Sequence, residues 1–463
     1  MKPKTIFKII ILLVFIASAV FVTNIDRRCY YNDLNILLQD LSQNTTNNTC
    51  SKKEAKFELI SNEIKLLDNI TLENDFNFEG IIFNLNGHDL TINNSKLRFT
   101  NCTLKSNNSK INIEVSGAEN IIILINSDIE NIDFNITGES DFIKIIEAQY
   151  DCSISNCNIT TDMDISNKQY TIYSYENLNI DNVSITSTLN SNSIDKRVYC
   201  VGIKSTNLST TISNSKIYIE NFAQYGVSYG ISTNKESNLL DVSDTSIYAD
   251  SHYLHLEGGY GSTSIGILSN SEKTNINNCD VRGVHSGAQL SGFGEVNNST
   301  LKGLGHGGIY FSKNKQSDEL PTIFLIKNST LSWEEPKGIS LQDTSNPDYS
   351  GTNNAGFYIG GTSGASNIQV YMDSCEVIGN KHSAVLRGSS GEHDNGLYVS
   401  NTTFNYPIRV DNENLILQIG KGNNITPSDL VCYKWELIHY SEISNELIVF
   451  NDKVFDNIDF NIN

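Results

Sequence analysis

Six of the eight histidines, His252, His255, His285, His306, His382 and His393, fall between residues 252 and 393 of a 463-residue chain. Imidazole is the side chain best matched to moving protons near neutrality, so their concentration invites a catalytic reading. His306 stands out because Gly305 and Gly307 flank it. Lys381 and Arg387 add cations nearby, and Glu392 and Asp394 add carboxylates. Cutting a glycosidic bond takes two carboxyl groups, one to protonate the leaving oxygen and one to activate water or attack the sugar. Abstracting a proton beside a carboxylate takes a base together with a charge-neutralising cation. No spacing binds these residues into either set, so the catalytic candidates reduce to His306, His382 and Arg387.

The elements that would hold these residues show themselves as a repeat. A polar residue, usually Asn, then a small residue, any residue and an aliphatic or aromatic one recurs along the chain. It reads NCTL at Asn101, NSDI at Asn126, NCNI at Asn156, NVSI at Asn182, NSKI at Asn214 and DTSI at Asp244. It continues as NCDV at Asn278, NSTL at Asn298 and Asn328, SCEV at Ser374 and NTTF at Asn401. Successive starts lie 25, 30, 26, 32, 30, 34, 20, 30, 46 and 27 residues apart. Such a period, with short alternating strands and only 6 prolines, is that of a β-solenoid. Asn suits a corner that needs positive φ, and stacked amides can bond from coil to coil.

A second column agrees with the first. CVGIKS at Cys200, SYGIST at Ser228, SIGILS at Ser264, HSGAQL at His285, HGGIYF at His306, NAGFYI at Asn354 and HSAVLR at His382 align, and the two columns interleave. This register places His285, His306, Asn354 and His382 in an outward row, with coils about 4.8 Å apart. The longest coil carries an acidic insertion, residues 332–354, with Trp333 and Tyr349. The ligand-groove candidates are therefore His285, His306, Tyr310, Trp333, Asn354 and His382.

The start of the array, GIIFNLNGHDLTI at Gly80–Ile92, resembles the first coil of right-handed parallel β-helix proteins of the pectin-lyase-like superfamily. The resemblance covers about residues 55–405. It implies an all-β, right-handed parallel β-helix of roughly 11–13 coils with capped ends. In the polygalacturonase-like branch, Gly-His-Gly follows an Asn-Thr-Asp motif and an Asp-Asp pair and precedes Arg-Ile-Lys; here only the triplet at His306 is present. The superfamily holds lyases, hydrolases, tailspikes and adhesins, so the likeness speaks to fold more than to activity.

The leader MKPKTIFKIIILLVFIASAVFVTNIDRR, residues 1–28, joins a basic start to an apolar run. It reads as a cleavable signal peptide, with Ala17-Ser18-Ala19 as the small-residue site, or as an uncleaved signal anchor. Either reading puts the rest outside the cytoplasm, at the cell surface or secreted. Residues 29–54 form a stalk or N-terminal cap, where YYNDLNILLQDLSQ has helical spacing, and residues 406–463 a C-terminal cap region with a helix start at Thr426.

Beyond the leader, 28 basic residues face 52 acidic ones, a formal charge of −24. That balance repels phosphate backbones and excludes nucleic acid as a partner; it also disfavours polyanionic glycans unless a local basic patch or a bridging cation exists. The nine cysteines are no disulfide framework, and Cys102, Cys157, Cys279 and Cys375 fall in the small-residue slot of the repeat, as reduced core fillers. Asn-x-Ser/Thr triplets, as at Asn44 and Asn69, arise from the corner pattern itself. No cofactor motif is present; a Ca²⁺ between coils is the one cofactor left open. Nothing encodes an oligomeric state. The reading reached is a membrane-tethered surface β-helix that binds glycan or another surface component without cutting it. The alternative is a polysaccharide hydrolase or lyase working in a groove within residues 252–393.

Overall fold

The structure is a computed structural model that describes residues 28–43, 50–117, 119–194, 196–251, 263–303, 306–313, 321–333, 355–360, 366–380, 382–386, 394–406, 408–410, 415–419, 422–423, 430–432 and 439–442. The leader through residue 27, His252, His255, Asn354, Lys381, Arg387, His393 and the expected helix start at Thr426 lie outside the described residues. No described helix is long and apolar enough to cross a membrane.

One coil shows the plan. From the corner at Asn156 the chain runs along a first face, Asn158–Ile165, and a second face, Lys168–Ser174. It then follows a third face, Leu178–Asp181, and reaches the next corner at Asn182. Each face pairs in parallel with the same face of the coils on either side. The protein is a parallel β-helix.

Its core is a set of vertical ladders. On the second face Ile146, Ile172, Ile203, Ile231 and Ile267 stack in register, followed by Ala288, Ile309, Phe357 and Ala384, all fully buried. The third face runs Ile154, Ile180, Ile212, Val242, Ile276 and Val296 in the same way. β-Branched side chains suit a pleated face, and each burial contributes about 1.5–3 kcal/mol against the conformational entropy of the coil.

The corners explain the first repeat. Asn156, Asn182, Asn214, Asp244, Asn278, Asn298, Asn328, Ser374 and Asn401 all hold φ between 48° and 55°. The small residue that follows lies inside and links the coils. Ser215, Ser299 and Ser329 each donate to the carbonyl two residues back, at 2.6–2.7 Å, and accept the N–H of the slot residue on the preceding coil, at 3.0–3.1 Å. Cys157, Cys279 and Cys375 occupy the same slot, are reduced and buried, and have thiols pushed up to about 11 or 12 by burial.

The first two members of the Asn column belong to a different corner. Asn126 stacks on Asn101, its amide donating at 2.8 Å, at the corner between second and third faces. The register instead sets Asn131, φ 58°, beside Asn156. Cys102 likewise lies in the slot of Ser127, which accepts its N–H, and not in that of Cys157. The stretch NSDIEN turns two corners five residues apart, and the spacing pattern locked onto the earlier one.

The second column owes its glycines to close approach. Gly202, Gly230, Gly266, Gly287, Gly308 and Gly356 stack where the first face crowds the second. A Cβ on Gly287 would come within 2.6 Å of the Gly308 carbonyl and 2.7 Å of the Lys302 nitrogen. Only glycine fits there.

Helix α1, Leu34–Ser42, is capped by Asp33, whose carboxylate accepts from the N–H groups of Asn35 and Ile36. It buries Leu34 and Leu37 beside the antiparallel strands Cys29–Tyr31, Phe57–Ile60 and Glu63–Leu66, the last of which pairs on its other edge in parallel with Ile82–Asn84 and so begins the parallel array. At the other end parallel pairing runs on past Phe404, through Ile408–Val410 and Leu415–Ile419 to His439–Glu442.

Candidate functional site

The second face positions most of the chemistry. Residues that alternate with its buried isoleucines point outward and form one ladder from coil to coil. It begins Glu147, Tyr173, Lys204, Ser232 and continues Leu268, Gln289, Tyr310, Tyr358. Tyr173 and Tyr310 are five coils apart on it, a rise of about 24 Å.

At the far end of this ladder the expected histidine row is realised in part. His306 Nδ1 lies 2.6 Å from His285 Nε2, and the backbone N–H of His306 donates to the His285 carbonyl at 2.9 Å. The His306 ring stacks on Tyr310, 4.3 Å between centroids and 14° between planes, and meets the edge of Tyr358 at 5.0 Å. Burial pushes His285 down to about 4, so it is neutral at physiological pH. A neutral His285 offers one ring nitrogen as donor and the other as acceptor, so its Nε2 can pair with His306 Nδ1 in either tautomer.

The sequence placed these residues in an open row, and the structure packs them. Tyr310 and Tyr358 are 6% and 1% exposed and form a small apolar cluster with Ala355 and Val385. His382 is buried at 5% exposure. Earlier members of its column, Cys200 and Ser228, lie within second-face strands and point inward. In later coils the strand starts after this position, at Ser286, Ile309 or Ala384, so the histidines sit in the turn leading in. Trp333 ends a first-face strand, opposite Gly303, and is not on the second face. Asn354 and Arg387, the remaining candidates, lie outside the described residues. Among the described residues no three His, Cys, Asp or Glu side chains converge as metal ligands.

The near end of the ladder holds residues that a search for histidines and paired acids passes over. Tyr170, Tyr173 and Tyr175 meet edge to face or tilted, with centroids 5.1 and 4.9 Å apart, and Phe142 abuts Tyr170 at 5.9 Å. Lys144 lies over the rings of Tyr173 and Tyr175, 4.4 and 4.9 Å from their centroids. It donates to the Tyr175 hydroxyl at 2.7 Å and to Glu147 at 3.0 Å. Against the penalty of burial, those two partners raise its pKa. Lys168 covers Tyr199 at 4.9 Å, and burial pushes the phenol of nearby Tyr229 up to about 12. All five tyrosines are half-buried, with part of each ring open to solvent. Their signal in the sequence is YTIYSY at Tyr170–Tyr175, whose outward positions only the register reveals.

No protein-family model and no curated protein matches the chain. Among the solved structures similar to it are the following three. They are the catalytic domain of a GH87 α-1,3-glucanase in complex with tetrasaccharides (11% identity, 77% of this chain, TM-score 0.26) and a PL6 alginate lyase in complex with a trisaccharide (10%, 83%, 0.22). The third is the receptor-binding protein of bacteriophage Det7, a podoviral tailspike in a myovirus (11%, 90%, 0.24). The chain spans 64% of the glucanase domain, 85% of the lyase and 80% of the tailspike.

Proposed function

We propose that this protein is an exported β-helix that binds a glycan along the outer surface of its second face without cleaving it. The observation that carries the reading is the register of half-buried tyrosines on Tyr170–Tyr175, Tyr199 and Tyr229, interleaved with lysines. Aromatic rings present flat apolar faces to the C–H surfaces of sugars, while phenols and ammonium groups meet their oxygens. A rigid solenoid holds such groups at a constant rise, which suits a polymer lying along the axis. The leader, residues 1–28, would deliver that face outside the cytoplasm, where glycans are met.

The cleaving alternative draws on the His285–His306 pair, in which His285 is neutral and its imidazole can accept a proton. One experiment separates the two. The full-length chain is applied to a glycan array, and its ligands are incubated with it under a reducing-sugar and unsaturated-product assay. Retention with no product supports binding. Turnover that His306→Ala abolishes supports cleavage, and no retention defeats both.

A further inference from the structure

A single carboxylate on the second face ties together an amine and an amide from neighbouring coils. Asn120 and Lys144 are direct partners across the parallel strands Asn120–Ile125 and Asp128–Gln149, so their Cα atoms lie about 4.8 Å apart. Glu147 Oε2 accepts from both. Lys144 Nζ donates at 3.0 Å, and the side-chain amide of Asn120, turned so that its nitrogen faces acceptors, donates at 3.3 Å and also to the Glu119 carbonyl at 2.8 Å. Water is largely kept out, since the Lys144 and Glu147 side chains are 13% and 6% exposed. The rings of Tyr173 and Tyr175 close over the ammonium from the next coil. Neither the tyrosine surface nor the histidine pair makes use of Asn120.

An amine, an amide and a carboxyl group shared between them are the components of an amide exchange. We propose that Lys144 and Asn120 condense into a covalent side-chain cross-link between two coils, with Glu147 moving the protons. Lys144 Nζ passes one proton to Glu147 and attacks Asn120 Cγ as a neutral amine. Glu147 then hands its proton to Asn120 Nδ2 and takes another from Nζ, the bond from Cγ to Nδ2 breaks, and ammonia departs. That ammonia leaves with the last proton as ammonium, so Glu147 ends ionised as it began. One C–N bond forms, one breaks, and nothing is oxidised or reduced. The lysine stem is longer than the gap between the two Cα atoms, so turning its outer bonds carries Nζ from the Tyr175 hydroxyl toward Cγ. Against the penalty of burial, Tyr175 and Glu147 hold Lys144 mainly in its ammonium form. Effective molarities of about 10⁵–10⁸ M for well-oriented neighbours offset that, and the chain needs the reaction only once. Each coil of a solenoid contacts only its neighbours, so this bond would stop unwinding that starts at the N-terminal end.

The test is mass spectrometry of the full-length chain after prolonged incubation, and its outcome does not depend on glycan binding. A protease that cuts after glutamate releases Asn120–Glu130 and Ser140–Glu147 as separate peptides from an unlinked chain. The cross-linked chain should instead give the two joined, lighter than their sum by one ammonia, and trypsin should no longer cut after Lys144. Lys144→Arg and Glu147→Gln should each leave the Asn120 peptide unjoined. Wild-type chain that yields Asn120–Glu130 alone overturns the proposal, and so does a link formed equally well in Glu147→Gln. A bond from Lys144 to Gln149, whose amide meets the other oxygen of Glu147 at 2.6 Å, would overturn the assignment to Asn120. Circular dichroism separates a lost reaction from a lost fold, and Lys144→Arg, which keeps the charge beside Glu147, is the variant least disturbed.

Discussion

Asn182 donates from its side-chain amide to Asn156 Oδ1 at 2.8 Å, and both residues hold φ at 53°. The corner thus has two separable demands, a left-handed backbone and a bond to the coil beneath. Asn182→Gly meets the first and loses the second, at a cost of about 1 kcal/mol. Asn182→Ala loses both, at about 2–3 kcal/mol. Urea denaturation should rank wild type above the glycine variant and the glycine variant above alanine. Equal midpoints for the two variants would show that the backbone sign does not matter at this corner.

The glycine ladder predicts a sharper loss. A Cβ at Gly287 meets backbone atoms of Gly308 and Lys302, which no rotamer change can move aside. Gly287→Ala should therefore cost at least about 2 kcal/mol although it adds one methyl group. A thermal midpoint within a degree of wild type would mean that the first and second faces do not crowd there.

The burial of His285 predicts a pH dependence. His285 has a lower pKa folded than unfolded, so the unfolded chain takes up more protons between about 6.5 and 4. The contribution is fully present above pH 6.5 and is lost as pH falls toward 4. Discounted because solvent reaches part of the side chain, it amounts to about 1–2 kcal/mol. His285→Gln should flatten the fall of the melting temperature over that window. An identical pH profile in the variant would contradict a buried neutral imidazole.

Much of this molecule could be read before folding was considered, because a solenoid writes its geometry as a period. The Asn corners, the small slot and the glycine column each report a local steric demand, and each was visible at the residues that meet it. The failures share one cause. Asn126 was placed beside Asn156, whereas Asn131 belongs there, because two corners fall within one six-residue stretch and spacing alone does not say which face intervenes. The repeat register points His382 outward, yet its turn buries it, and Tyr310, a groove candidate by sequence, packs against Tyr358. Tyr173 and Lys204 were missed because they are 31 residues apart in sequence, and only the parallel register makes them neighbours. The half-buried tyrosines, which suggest binding, are ordinary in a β-rich sequence until their face is known.

The claim on which the account rests is that the second face is the binding surface, and paired alanine variants on different faces test it directly. Glycan binding by the full-length chain should fall at least about tenfold in Tyr173→Ala and in Tyr175→Ala, which remove rings from the second face. It should stay unchanged in Tyr218→Ala, which removes an exposed ring stacked on Tyr248 at 4.8 Å on the first face. Loss in the first-face variant with retention in both second-face variants would contradict the assignment.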